Sequence, residues 1–364
     1  MTVLLLIIVL TFLVLVHEWG HFFVAKNSGI DVKEFGLGLP PRAWGKKIGD
    51  TVYSLNWIPF GGFVRIAGDD EDSTPGFPIA RPGHSFKEKS FFTKISVMVG
   101  GVIANAYLAF FLIAAAFWIG LPVSLESFPK VPVRDSWVAI VGTIPDSPAR
   151  EAGLMLPSRL VAVSVGEKKI AVNRVADVQI LIRSGAGNPV TLYIQNKDGL
   201  ETSYTLMPTL SKDGSPPSIG VELDKVGIPN YGIFGALKQS FTLSGTLIAN
   251  ITTEIVLLIS RVFSGAGSLE SVSGPVGIAG ILADARSEGW GPLFFMVALI
   301  SMSLAVINFA PFPALDGGRL LFLLIEAIMR KPIKPAISRF VNLAGFALLL
   351  LLMFFVTYHD IVSL

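Results

Sequence analysis

The sequence predicts a multi-pass α-helical membrane protein with four transmembrane helices, a cytoplasmic-side β-hairpin loop and an inserted α+β domain. Three observations carry that prediction. The 364-residue chain is 52% hydrophobic and has a mean hydropathy of +0.63, above what an ordinary soluble domain carries. Four apolar runs, residues 2–25, 95–119, 293–310 and 340–357, are long enough to cross a bilayer. Residues 136–210 differ in kind, with short β-rich runs ("WVAIVGTI", "RLVAVSV", "PVTLYIQN", "ETSYTLMP") separated by Gly, Pro, Asn and Asp turn signals.

The first run reads as a retained spanning helix. No Lys or Arg precedes it and no small-residue cleavage pattern follows it, so it lacks the marks of a secretory signal. At 1.5 Å per residue its ~24 residues cover about 36 Å, enough for a hydrocarbon core of roughly 30 Å. The loop that follows holds "EFGLGLPPRAWG" and "TVYSLNWIPFGGFVRIAG", aromatic-rich and alternating around glycines, which suits a β-hairpin. Residues 68–76, "GDDEDSTPG", read as an acidic surface turn.

Orientation follows from charge. Lys26, Lys33, Arg42, Lys46, Lys47, Arg65 and Lys94 lie between the first two runs, and Arg319, Arg330, Lys331, Lys334 and Arg339 between the last two. The positive-inside rule puts both loops in the cytoplasm. Both termini and residues 120–290 then face outward. The implied domains are 1–119 with the first two crossings, 120–225 with a β-rich core at 136–210, a partly amphipathic helical connector at 226–290, and 291–364 with the last two crossings. Residues 232–263 are expected along the outer membrane surface.

Composition also excludes. A net charge of +2, with scattered basic residues, gives no footprint for nucleic acid. Without cysteine, disulfides and thiolate metal sites are impossible, and any metal must be held by nitrogen and oxygen.

"LVLVHEWGHFFVAK", residues 13–26, places His17, Glu18 and His21 inside the first apolar run. Ionisable groups at that depth are costly and read as a functional site by default. Residues four apart share a helix face, so His17 and His21 can grip one ion with Glu18 alongside, the HExxH arrangement of zinc hydrolases. The motif alone leaves a structural reading open. Its position argues for chemistry, because two of the chain's four histidines fall in one turn of a lipid-embedded helix. A catalytic zinc normally takes a third protein ligand. "NFAPFPALDGGR", residues 308–319, offers Asp316 where the third crossing reaches the same side as His17. Prolines 311 and 313 interrupt that helix, and Gly317 and Gly318 allow close backbone approach. The alternative is that Asp316 only caps the helix that follows.

Taken together, HEWGH, "FGLGLPPR", "GGFVRIAG", "GGVIANAYLA", "SGPVGIAGI" and "NFAPFPALDGGR" resemble the site-2 protease family of intramembrane zinc metalloproteases, nearest its RseP-like subgroup. "DSPAREAGL", residues 146–154, resembles the helix region of a bacterial PDZ domain, and one such domain fits. The resemblance implies Zn²⁺ as cofactor, His17, His21 and Asp316 as its ligands, and Glu18 as the base. Asn308 and Asn105 match family asparagines near the substrate, and the glycine-rich loop with Gly61 and Gly62 resembles a membrane-reentrant β-structure that holds substrate as an added strand. The implied partners are the lipid bilayer of a bacterial inner membrane and a single-pass transmembrane protein, of the anti-sigma-factor or remnant-signal-peptide type.

Two rivals bracket this reading. A non-catalytic PDZ scaffold gives no role to the intramembrane HEWGH and LDGG pair. A metal or proton transporter calls for more intramembrane carboxylates and does not need Glu18 beside His17. His84 and His359 read as surface groups, and Glu326 and Arg330 as an i,i+4 ion pair. Oligomeric state is not legible.

Overall fold

The computed structural model describes residues 2–68, 81–128, 131–154, 156–166, 168–184, 187–195, 199–209, 217–264 and 274–362. The expected acidic turn at 68–76 lies outside them except for Gly68. In chain order the elements are α1 (Thr2–Asn27), β1 (Val32–Ile48), β2 (Thr51–Ile66), α2 (Phe91–Ile119), β3 (Val123–Ser124), β4 (Val133–Thr143), α3 (Pro148–Glu151), β5 (Ser158–Val165), β6 (Lys168–Ala171), α4 (Val175–Ser184), β7 (Val190–Gln195), β8 (Glu201–Leu206), β9 (Val221–Pro229), α5 (Ile233–Phe263), α6 (Pro275–Glu288), α7 (Trp290–Phe309), α8 (Asp316–Met329) and α9 (Pro335–Val362). The chain divides into two compact units, Met1–Ala115 with Ala236–Leu364, and Ala116–Gly235.

In the first unit, α1 stays helical to Asn27 and stops at Gly29, whose φ of +65° is left-handed. Ile30 N–H then bonds Ala25 O and Gly29 N–H bonds Lys26 O, the two closures of a Schellman end. The N-terminal half of α1 packs Leu6, Val9 and Leu13 against Ala279 and Leu282 of α6 and Leu293 and Val297 of α7. Its C-terminal half lies against α2 with almost no gap. A Cβ added to Gly100 would sit 2.9 Å from Gly20 O, and one on Gly20 would lie 2.8 Å from Ala104 Cβ. Only glycine permits that approach.

The loop expected as one hairpin is more than that. Residues 34–37 of β1 pair with β2 on both sides, with Val52–Leu55 along one flank and 62–65 along the other, Val32 extends the second flank to Ile66, and Arg42–Ile48 pairs with 51–56. The result is a four-stranded antiparallel arrangement with Gly62–Ile66 as one edge. Gly38 at φ +79° and Gly61 at φ +72° turn the two long strands back on themselves. Glu34, 2% exposed, is held inside this sheet by Arg42 at 2.6 Å and Arg65 at 3.5 Å. The sheet also reaches deep: the Thr11 hydroxyl donates to Pro59 O at 2.8 Å.

Five described helices, not four, are long and apolar enough to cross a membrane: α1, α2, α7, α9 and the Ile233–Leu258 portion of α5. The threonines that help make α5 read as amphipathic are satisfied within it, while the Ser240 hydroxyl donates to Phe110 O of α2. The Thr242, Thr246, Thr252 and Thr253 hydroxyls each donate to the carbonyl four residues back. Hydroxyls spent this way no longer oppose an apolar setting.

The second unit is a seven-stranded antiparallel sheet in the order β3-β9-β4-β5-β7-β8, with β6 added to β5. Its core joins Val138, Ile140, Val163, Leu192 and Ile194 of the strands to Val178 and Ile182 of α4. Ser147 caps α3, its hydroxyl accepting the Arg150 N–H at 3.3 Å. β9, beyond the β-rich core read from sequence, pairs along the whole of β4 and runs to Pro229.

Candidate metal centre

His17 and His21 project from one face of α1, 7% and 6% exposed, towards the start of α8. There Asp316 follows a turn in which Ala314 takes φ +71°. Its carboxylate lies 299 residues from His17 in sequence, yet Oδ2 is 2.9 Å from His17 Nε2 and 3.2 Å from His21 Nε2. The two Nε2 atoms are 3.1 Å apart. One ligand atom from each residue falls within 4.8 Å of the others. Asp316 is the first helical residue of α8, and Leu315 holds the cap position, so helix capping does not account for the carboxylate's place.

Glycine sets the spacing. A Cβ at Gly317 would overlap the carbonyl oxygens of Phe309 and Ala310, and one at Gly318 would overlap Phe312 O. The first turn of α8 is therefore pressed onto the end of α7, which carries Asp316 to the imidazoles. α9 supports that turn from behind: Asn342 Oδ1 accepts the Ala314 N–H at 3.3 Å, and Gly345 packs on Pro313.

Beside two of the three donors, His17 and Asp316, lies a cavity of about 210 Å³ lined also by Val14, Glu18, Asn105, Leu304, Asn308, Ala314 and Leu315. Glu18 sits within hydrogen-bonding reach of the Val64 backbone amide. A Cβ on Gly62 would come 3.7 Å from Glu18 Cγ, and one on Gly61 3.5 Å from Val14. The sheet edge thus runs past the carboxylate. His84 and His359 are not brought to the site; His84 is 3.6 Å from Asp31. Glu326 accepts the Ile333 N–H at 2.8 Å, closing the turn after α8 in place of the expected pair with Arg330.

Two contributors escaped the sequence reading. The Val97 carbonyl accepts from His21 Nδ1 at 2.7 Å, fixing the ring so that Nε2 faces the cluster. Gly101 lies against both imidazoles: a Cβ there would be 2.5 Å from His21 Nε2 and 2.7 Å from His17 Nε2. The paired glycines Gly100 and Gly101 mark a close approach on α2 but do not name the imidazoles as the neighbours, and nothing local marks Val97. Two buried imidazoles and one half-buried carboxylate, converging on one point, suit a zinc site with one position left open.

The peptidase family M50 model matches residues 5–352. A provisionally named zinc metalloprotease of Clostridium perfringens is 33% identical over 96% of this chain and 95% of its own length. The zinc metalloproteases RasP of Shouchella clausii and of Oceanobacillus iheyensis are 28% and 27% identical, covering 100% and 99% of this chain and 99% and 98% of theirs. With a two-histidine, one-carboxylate cluster joining the apolar helix α1 to the start of α8 and a family match over nearly its whole length, the chain belongs to peptidase family M50, the site-2 protease family of intramembrane zinc metalloproteases.

Proposed function

We propose that His17, His21 and Asp316 hold the zinc ion, that Glu18 is the proton-accepting base, and that the substrate is a single-pass membrane protein of the anti-sigma-factor or remnant-signal-peptide type. The observation that carries this is the meeting of three donors from α1 and α8 beside Glu18. Zinc bound there supplies Lewis-acid polarisation of the scissile carbonyl and of the attacking water. Glu18 takes the proton from that water and returns it to the leaving amine. Asn308, which lines the same cavity, holds the substrate backbone with its amide. A transmembrane helix hides its amides in its own ladder, so cleavage needs a local extended segment. The Gly61–Gly62 edge receives that segment as an added strand. The glycines leave this edge bare of side chains, close to Glu18.

The chain crosses the inner membrane four times, through α1, α2, α7 and α9, with both termini and the sheet domain, read as PDZ-like, outside. Asp316 follows α7 after the turn at 310–315 and meets the C-terminal half of α1, so α1 and α7 run the same way. A crossing by α5 would reverse α7 unless another crossing followed, and the 14 residues of α6 cover only about 21 Å. α5 therefore lies along the outer surface. Since the chain has no cysteine, a single cysteine at Lys47 should resist an impermeant thiol reagent in intact cells, and one at Thr202 should react.

The direct test is Glu18→Gln, which keeps the ligands and removes the base. Zinc content should stay at the wild-type level while cleavage of a transmembrane substrate is lost. Wild-type cleavage by this variant would overturn the assignment.

A further inference from the structure

Val97, Gly101 and Asn105 recur at four-residue spacing on α2 and form the stripe that faces the imidazoles. Val97 gives its carbonyl to His21 Nδ1 at 2.7 Å. Gly101 makes the room. Asn105 is 0% exposed, with Nδ2 3.5 Å from His17 Nδ1. Its Oδ1 is buried and finds no hydrogen-bond partner among the described residues.

His17 turns Nε2 to Asp316 and leaves Nδ1 to Asn105. A neutral imidazole that offers the lone pair of Nε2 carries its proton on Nδ1, and that proton needs an acceptor. His21 has one in Val97 O. For His17 the atom within reach is Asn105 Oδ1, brought round by a half-turn of the amide, two ends of nearly equal size. The same half-turn gives the orphaned oxygen its partner.

We infer that Asn105 is a positioning residue: its Oδ1 accepts the Nδ1–H of His17 and holds Nε2 towards the metal site. The inference rests on the proposed reading of His17 as a ligand, and it moves Asn105 from the substrate, where resemblance put it, to the ligand behind the cavity. The turn of α2 that bears Asn105 is itself fixed, because the buried Ser301 hydroxyl of α7 donates to Asn105 O at 2.9 Å. α7 also leads into Asp316, so two ligands are supported from one helix.

The experiment is zinc affinity by chelator competition on purified full-length protein in detergent, for wild type, His17→Ala, Asn105→Leu and Asn105→Asp. Removing such an outer partner should weaken zinc binding about 10–100-fold in Asn105→Leu, while Asn105→Asp, which keeps an acceptor and has no donor, should bind within about threefold of wild type or tighter. At saturating zinc the Leu variant should keep the wild-type KM, which a substrate contact would not allow. If wild type and His17→Ala bind zinc equally, the ligand reading falls and this inference with it. If His17→Ala loses zinc but Asn105→Leu binds like wild type, only the role of Asn105 is overturned. Should the Leu variant not fold, Asn105→Asp alone decides: tenfold weaker binding would mean that the amide donor is what matters and would overturn the inference.

Discussion

The Thr11 hydroxyl donates to the Pro59 carbonyl at 2.8 Å, which ties the bend of β2 to a point about 24 Å up α1 from its C-terminal end. Non-helical backbone at that depth is tolerated only against protein or a cavity. Here α1 lies on one side, and Gly61, two residues on, comes against Val14 of the cavity wall. Thr11→Val keeps the shape and removes the donor, at a cost of about 0.5–1.5 kcal/mol to the attachment. The kcat/KM for a transmembrane substrate should fall about 2–10-fold with zinc content unchanged. Equal rates would show that other contacts fix the bend.

Gly101 offers a sharper test of the cluster. Any Cβ there overlaps His17 and His21, whereas Gly280 on α6 has nothing within 4 Å of an added Cβ. Gly101→Ala should lose zinc by at least about tenfold, since both rings must shift. Gly280→Ala should keep zinc and gain up to about 1 kcal/mol from helix propensity. Metal analysis and thermal unfolding read both, and tight zinc in Gly101→Ala would mean that α2 does not confine the rings.

Ala314 holds φ +71° without being glycine, a conformation that costs an L-residue roughly 1–2 kcal/mol. Ala314→Gly should relieve it and raise the unfolding midpoint, offset in part by the greater freedom of glycine in the unfolded chain. Zinc affinity in the same variant reads whether the strained turn is needed to aim Asp316. A lowered midpoint would show that the methyl group packs to more effect than the strain costs.

Asp31, just after α1, takes hydrogen bonds from the Arg81 guanidinium and backbone. The guanidinium bonds hold its carboxyl below the ordinary value of 3.8. A folded pKa below the unfolded one means a contribution present in full above that ordinary value and lost as pH falls through the lowered one. Hydrogen exchange at Asp31 N–H, which bonds His84 O at 3.0 Å, should give the same opening equilibrium from pH 8 to 5 and rise only in stronger acid. Loss of protection near neutrality would show that the Asp31 carboxyl does not control this opening.

Much of the candidate site was legible because its signals are local. His17, Glu18 and His21 share one turn, and a helix at lipid depth leaves little reason for them except chemistry. Asp316 could be matched to them through the direction of the crossings. Val97 and Gly101 were not legible, since a backbone carbonyl and a missing side chain carry no polar signature; what they do depends on which face of α2 meets α1. The β-hairpin was expected, but its double pairing was not, because alternation reports strand faces and not how often a strand is used. α5 reads two ways in sequence, because threonine counts as polar until its hydroxyl is seen to bond its own helix.

By itself the sequence determined the apolar segments, the inserted β-rich domain and the chemistry of the donors, since length, period and residue type follow from the chain alone. Only the tertiary structure decided the distances. Asp316 reaches His17 because Gly317 and Gly318 let α8 press on α7, and the β2 edge reaches Glu18 because Gly61 turns it back along α1. Such contacts join residues far apart in the chain, and whether they close depends on which side chains leave room, a property of the packed neighbours together and not of any one segment.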